Sequence, residues 1–174
     1  AAAHWHREGV PIALFELEED RKYHLHRALA QQAGESRLLD SQWAADNADL
    51  AISLYRQSSA FLNTFGSRIW EAPDKQVSLD DLAQWVLARS KEGARIIAID
   101  PVTAASISDK PWIADQKFIM SVKTFVRDYN NSLVLVTHPT KAPKTKGPGQ
   151  ISGGAAYMRF SQAALWLGTT DGTP

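Results

Sequence analysis

Three polar residues stand at or directly after apolar stretches of the sequence, where strands of a parallel sheet place reactive groups. Glu18 follows the run 12–17, Asp100 closes the run 95–99, and His138 ends the stretch that begins at residue 133. A carboxylate in such a position can orient an attacking water, and a second one can hold Mg²⁺ through its hard oxygens. An imidazole there can donate to a phosphate oxygen. These residue types could therefore act on a phosphate compound.

Each of these residues also has a purely structural explanation. Asp100 precedes Pro101, and Asp is a common turn former in that position. Glu18 belongs to an acidic run, 16–20, whose members could serve as first-turn acids favoured by a helix dipole. A lone His such as His138 is more often a packed, hydrogen-bonded residue than a reactive one. Position at the strand ends is what favours the chemical interpretation.

Two further sets of residues have binding potential. The segment 141–150 holds three lysines, two prolines, two glycines and no acid, so it is predicted to be a mobile basic loop. Its lysines could neutralise nucleic-acid phosphates or simply be solvated, and the lack of an aromatic residue favours backbone contacts over base stacking. The His-x-His pairs at 4/6 and 24/26 are predicted on helices, where i and i+2 do not share a face. We therefore expect no metal site from them.

The elements that position these residues alternate between strand and helix. Each predicted strand is nearly all apolar, which is typical of a parallel sheet covered on both faces. Ligands of such sheets bind at the carboxyl ends of the strands. The predicted strands are 12–17, 68–70, 95–100, 133–138 and 163–167, and the predicted helices are the helix tail 1–8 and the segments 20–33, 40–65, 78–91 and 113–129.

Composition sets limits on the class of protein. The 174 residues are 44% apolar and 22% charged, which indicates one globular domain and argues against disorder. There is no Cys, so disulfides, thiolate zinc sites and cysteine nucleophiles are excluded. No run of 18 apolar residues and no signal peptide is visible, so no membrane role and a cytoplasmic location are expected. Nineteen basic residues balance nineteen acidic ones, so any affinity for nucleic acid must come from a local patch.

Four segments in order, "IALFELEED", "RIIAID", "LVLVTHPTK" and "ISGGAAYMRFSQAALWL", carry a family resemblance. From residue 1 to about residue 168 the chain resembles the conserved core of RecA-fold ATPases of the DnaB-type hexameric helicase family, with its phage primase-helicase, Twinkle-like and RepA-like relatives. The resemblance implies an α/β, three-layer P-loop NTPase fold with a RecA-like, mostly parallel sheet and helices on both faces. It also implies an ATPase that drives a replicative DNA helicase or translocase along single-stranded DNA.

The resemblance assigns a role to each candidate residue. Glu18 would activate water, Asp100 would be the Walker B carboxylate that holds Mg²⁺, and His138 would contact the γ-phosphate of ATP. The basic segment would be the central-channel loop of a homo-hexamer or other ring, and Arg159 would join it in contacting DNA. The DNA-binding residues implied are therefore Lys141, Lys144, Lys146 and Arg159, and the implied cofactors are ATP and Mg²⁺.

One element of the family pattern is missing. No GxxxxGK[ST] motif and no Gly-Lys pair occurs in the sequence, so the Walker A loop that would cradle the phosphates is not among these residues. We interpret residues 1–174 as a single RecA-like core, apparently truncated before the Walker A loop and before the C-terminal arginine finger. Two alternatives stay open: a RecA- or KaiC-like ATPase in recombination, repair or regulation without unwinding, and a decayed, non-catalytic interaction module.

Overall fold

A computed structural model of the protein describes residues 1–74, 76–105, 110–138, 156–165 and 167. Helices and strands alternate along these residues much as the apolar pattern predicts. The helices are α1 (Ala2–Arg7), α2 (Arg21–Ala33), α3 (Ser41–Asp46), α4 (Ala48–Gly66), α5 (Leu79–Lys91), α6 (Pro111–Tyr129) and α7 (Ala156–Phe160), and the strands are β1 (Ile12–Glu16), β2 (Ile69–Glu71), β3 (Ile96–Asp100) and β4 (Ser132–Leu135).

The described strands form one sheet in the order β2-β1-β3-β4, and every neighbouring pair is parallel. β1 therefore lies inside the sheet, between β2 and β3. In the β1–β3 pair Ile12 stands opposite Ile96, and Glu16 stands opposite Asp100. All carboxyl ends consequently meet at one edge, which confirms the predicted parallel arrangement. This register places two acidic residues side by side there.

The sheet is covered on both faces, which gives three layers. Alternate residues of the buried strand β1 point to opposite sides. Ala13 and Phe15 pack into a core with Leu82 of α5 and Phe118 of α6. On the other face Ile12 and Leu14 pack into a second core, which contains Leu29 of α2 and both Leu62 and Phe65 of α4. Burial on both faces explains why β1 is apolar almost throughout, whereas β4 at the edge of the sheet leaves Ser132 and Val134 exposed.

Side chains at the helix ends explain where α2 and α5 begin and end. Asp20 accepts a hydrogen bond from the backbone N of Tyr23 at 2.7 Å and caps α2. Gly34 ends that helix in the left-handed region at φ 67°, a conformation that glycine adopts without strain. Ser78 and Asp81 form the reciprocal capping box at the start of α5. These limits agree with the sequence predictions.

The helix predicted over 40–65 is wrong as a single element. The chain forms α3 and α4 instead, and a turn of 3-10 helix, Ser36–Leu39, precedes them. Asn47 separates the two helices with a non-helical backbone (φ −120°, ψ 39°). Its side-chain amide donates to the carbonyl of Trp43 at 2.9 Å, so it closes α3 rather than extending it.

The C-terminal part of the chain also differs from the prediction. Residues 156–160 form the short helix α7, and the described residues of the predicted strand 163–167 form no strand. Leu165 and Leu167 are 93% and 95% exposed, so they lack the burial that a strand of this composition needs. α7 is held against α6 because the Tyr157 hydroxyl donates to Asp115 Oδ1 at 3.1 Å. None of the described helices is long and apolar enough to cross a membrane.

Candidate active site

Backbone hydrogen bonds continue beyond the strand ends and keep the carboxyl edge of the sheet together. The backbone N of Leu17 donates to the carbonyl of Asp100 at 2.8 Å. The backbone N of Val136 donates to the carbonyl of Ile99 at 3.0 Å, and Val136 in turn accepts from Val102 at 2.9 Å. The segments that follow β1, β3 and β4 therefore lie side by side at this edge, where ligands of parallel sheets bind.

Glu18 and His138 come together at this edge although they are far apart in sequence. His138 Nε2 lies 3.1 Å from Glu18 Oε2, and the two form an ion pair whenever the imidazole is protonated. About half of each side chain is exposed, 49% for Glu18 and 56% for His138. A solvated pair of this kind is weak, about 0–1 kcal/mol, so a ligand that binds either group can break it.

Asp100 belongs to the same electrostatic site. Burial, followed by the negative charge of Glu16, raises the pKa of the Asp100 carboxyl above its ordinary value. His24 and His138 oppose this rise, and Glu18 adds to it. All three residues singled out from the sequence are thus near enough to influence one another.

A second pair, Glu16 and His24, lies behind this site and was not predicted from the sequence. Glu16 ends β1 with its side chain only 7% exposed, and its Oε2 lies 3.1 Å from His24 Nε2 on α2. The contact with Glu16 raises the pKa of His24 against the opposing effect of burial, and the charges of Glu16, Asp100 and Glu19 raise it further. Helical spacing could have placed His24 on the buried side of α2, because it is four positions before the buried Ala28.

The donor set at the edge is compatible with Mg²⁺. Asp100 offers hard carboxylate oxygens in a partly buried position beside the acids Glu16 and Glu18. Among the described residues no three His, Cys, Asp or Glu side chains form a metal-binding group. Mg²⁺ keeps several waters and is commonly held by one or two carboxylates together with substrate phosphates, so a single carboxylate such as Asp100 fits it.

The remaining predicted site residues are not brought to this edge by any contact among the described residues. Lys141, Lys144 and Lys146 lie outside the part of the chain that the structure describes. Arg159 is exposed on α7, with its guanidinium carbon 5.6 Å from the ring centre of Phe160. No GxxxxGK[ST] loop is present in the sequence to cradle phosphates.

The described helices and strands form a three-layer α/β fold with a parallel sheet, the fold class of RecA-like ATPases. The chain is similar to the solved ATPase domain of a DnaB-like helicase, with a TM-score of 0.67 and 12% sequence identity over 92% of this chain and 60% of that chain. It is also similar to a DnaB-like replicative helicase studied with primase, with a TM-score of 0.66 and 12% identity over 92% of this chain and 40% of that chain. The protein therefore has the fold of a DnaB-type ATPase core.

Other comparisons limit how far this similarity extends. A KaiC-like protein from Pyrococcus horikoshii OT3 matches with 14% identity over 86% of this chain and 57% of that chain. Its TM-score of 0.44 is too low to establish a shared fold. No protein-family model matches the chain, and no curated protein sequence matches it. The chain spans 60% and 40% of the two helicase structures. Only the fold is shared at this level of identity.

Proposed function

We propose that residues 1–174 are the motor core of an ATP-dependent DNA helicase or translocase of the replicative DnaB-like type. The observation that supports this most is the contact of Glu18 with His138 beside Asp100, at the carboxyl edge of a RecA-like sheet. These are the residue types that hydrolysis of a nucleoside triphosphate requires, in the part of the fold where nucleotides bind. The similarity to DnaB-like ATPase domains supports the same class of motor.

The three side chains divide the chemistry among them. Asp100 would hold Mg²⁺, which when bound neutralises charge on the transferred phosphoryl group. Glu18 would accept a hydrogen bond from the attacking water and orient it in line with the γ-phosphorus. His138 would donate a hydrogen bond to a γ-phosphate oxygen. Because Glu18 and His138 are half exposed, both can turn from each other to these tasks without unfolding the edge.

Coupling to DNA is proposed through the segment that follows His138. The lysines of segment 141–150 follow it directly in sequence, so release of the γ-phosphate by His138 would shift the segment that holds a strand. Arg159 would add a further phosphate contact. The partner is then single-stranded DNA, and the assembly a homo-hexamer or other ring. We place the motor in the cytoplasm.

One rival is a non-catalytic module with an ATPase fold, which would be favoured if the full-length protein also lacks the GxxxxGK[ST] motif that is absent from residues 1–174. Strand displacement separates the two functions. The natural, full-length protein that contains these residues is incubated with a forked DNA substrate and Mg²⁺, with ATP or with a non-hydrolysable ATP analogue. A helicase motor displaces the strand only with ATP, and Asp100→Asn removes the activity. Hydrolysis stimulated by single-stranded DNA without displacement indicates an ATPase that does not unwind. The absence of both hydrolysis and displacement indicates the non-catalytic module.

A further inference from the structure

Two carboxylates face the same side of the sheet at the candidate cation site. Glu16 and Asp100 are opposite each other across the β1–β3 pair. Ile12 and Leu14 pack toward α2 and α4, so strand alternation places Glu16 on that face too. Ile97 and Ile99 pack on the opposite face, which puts Asp100 beside Glu16. Like charges directly opposite one another in a sheet repel, so a cation beside the two carboxylates would stabilise this arrangement.

The His24 imidazole on α2 lies against Glu16 and adds a positive charge to this arrangement when it is protonated. Its Nε2 lies 3.1 Å from Glu16 Oε2, and its side chain is 20% exposed against 7% for Glu16. Tyr23 packs edge-on against the imidazole, with ring centres 5.3 Å apart, and limits its movement. The neighbouring His26 is exposed on the same helix. His24 therefore differs from His26 in being held against the buried carboxylate.

We infer that the Glu16–His24 pair sets the negative charge that Asp100 presents to a divalent cation. With the pair intact and His24 protonated, the charges of Glu16 and His24 cancel, and the site presents the single negative charge of Asp100. His24 is thus a positioning residue that acts through Glu16 and does not touch the cation. The inference rests on the proposed function, because that function assigns the cation to Asp100.

The pair predicts opposite effects of two conservative substitutions. Glu16→Gln leaves the positive charge of His24 unopposed beside Asp100, so affinity for a divalent cation falls. His24→Gln leaves two carboxylates, so affinity rises. One unit charge beside a divalent cation in a partly solvated site changes its affinity by about fivefold to tenfold. Replacing both residues with Gln restores affinity near that of the natural protein, because the net charge is again that of Asp100 alone.

The test measures binding of Mn²⁺ alone to the natural full-length protein, by electron paramagnetic resonance. The assay is run at about pH 5, well below the ordinary His pKa of about 6.5, so that His24 carries its charge even in Glu16→Gln, which lacks the contact that raises the pKa of His24. His26→Gln is the matched control and leaves affinity unchanged, and Asp100→Asn identifies the binding event at this site. Weaker binding in Glu16→Gln, tighter binding in His24→Gln and recovery in the double variant support the inference.

If the affinity for Mn²⁺ changes in the same direction in both single variants, or changes in neither, the inference is overturned. A merely structural pair would lower folding stability in both single variants without this reversal of sign. Mn²⁺ binding that is insensitive to Asp100→Asn also overturns it. No nucleotide is present in this assay, so the charge pattern can fail while ATP hydrolysis persists. The charge pattern can equally hold in a protein that does not hydrolyse ATP. Failure of this inference and failure of the proposed function are therefore distinguishable.

Discussion

Replacing His24 with Ala leaves the Glu16 carboxylate without its cation. Glu16 is 6% exposed and ends a strand that is buried throughout. Its Oε2 is 3.1 Å from His24, whose own side chain is 20% exposed. The carboxylate cannot regain a full shell of water in that position, so the folded state of the variant keeps a poorly solvated charge at a cost in stability.

The cost follows from the degree of burial. Removing one partner of a fully buried ion pair costs about 3–5 kcal/mol, whereas an exposed pair contributes about 0–1 kcal/mol. Because His24 keeps some contact with water, we expect a value just below the buried range, about 2–3 kcal/mol. With a urea m-value of about 2 kcal/mol/M, the unfolding midpoint shifts down by about 1–1.5 M. Adding Glu16→Gln recovers much of the loss, since no buried charge is then left.

Urea denaturation followed by circular dichroism measures these variants. The control is Lys117→Ala, which breaks the pair between Lys117 Nζ and Asp80 Oδ2 at 3.1 Å, with side chains 66% and 72% exposed. It costs less than about 1 kcal/mol. If His24→Ala is no more destabilising than Lys117→Ala, Glu16 is not a buried charge that depends on His24, and the reasoning is refuted.

Three further predictions concern pH, a helix cap and DNA. Because the pKa of His24 is raised from 6.5, the stability that the Glu16–His24 pair adds is complete below pH 6.5 and is lost as pH rises through the raised pKa. His24→Gln removes this pH dependence of the urea midpoint, and an unchanged dependence of the midpoint on pH contradicts the prediction. Ser78→Ala removes the hydroxyl that accepts from the backbone N of Asp81 at 3.1 Å and costs about 1 kcal/mol by the same assay, where no change would contradict the cap. The third change replaces Lys141, Lys144 and Lys146 with Gln. The slope of log affinity for single-stranded DNA against log salt concentration then falls by about two units, and an unchanged slope removes these lysines from the DNA site.

Much of the fold was predictable because local signals and burial agree. The run that becomes β1 is buried on both faces, and the run that becomes β3 is buried on one face and half-buried on the other, so their apolar composition indicates parallel strands. Asp20 and Gly34 mark the ends of α2 through their preferred backbone conformations. The break at Asn47 was missed because the apolar stripe continues across it, and the hydrogen bond that ends α3 depends on one side chain.

The site was predictable only in part. Position at the strand ends brought out Glu18, Asp100 and His138, because parallel register makes such residues neighbours whatever their separation in the chain. His24 was missed because its role depends on how α2 packs over β1, and helical spacing alone does not name its partner. Glu16 was grouped with the surface acids of the run 16–20, although it is buried as the last residue of its strand.

The most direct test of the account is the hydrolysis of ATP by the Glu18→Gln variant of the natural full-length protein. Gln keeps the size of the side chain but cannot act as a base, so turnover falls by about 100-fold or more. Binding of a fluorescent ATP analogue stays within about threefold, equivalent to less than about 0.7 kcal/mol. Glu19→Gln, in the adjoining exposed position, is the matched control and keeps its activity. Near-normal hydrolysis in Glu18→Gln would contradict the assignment of this edge as the catalytic site.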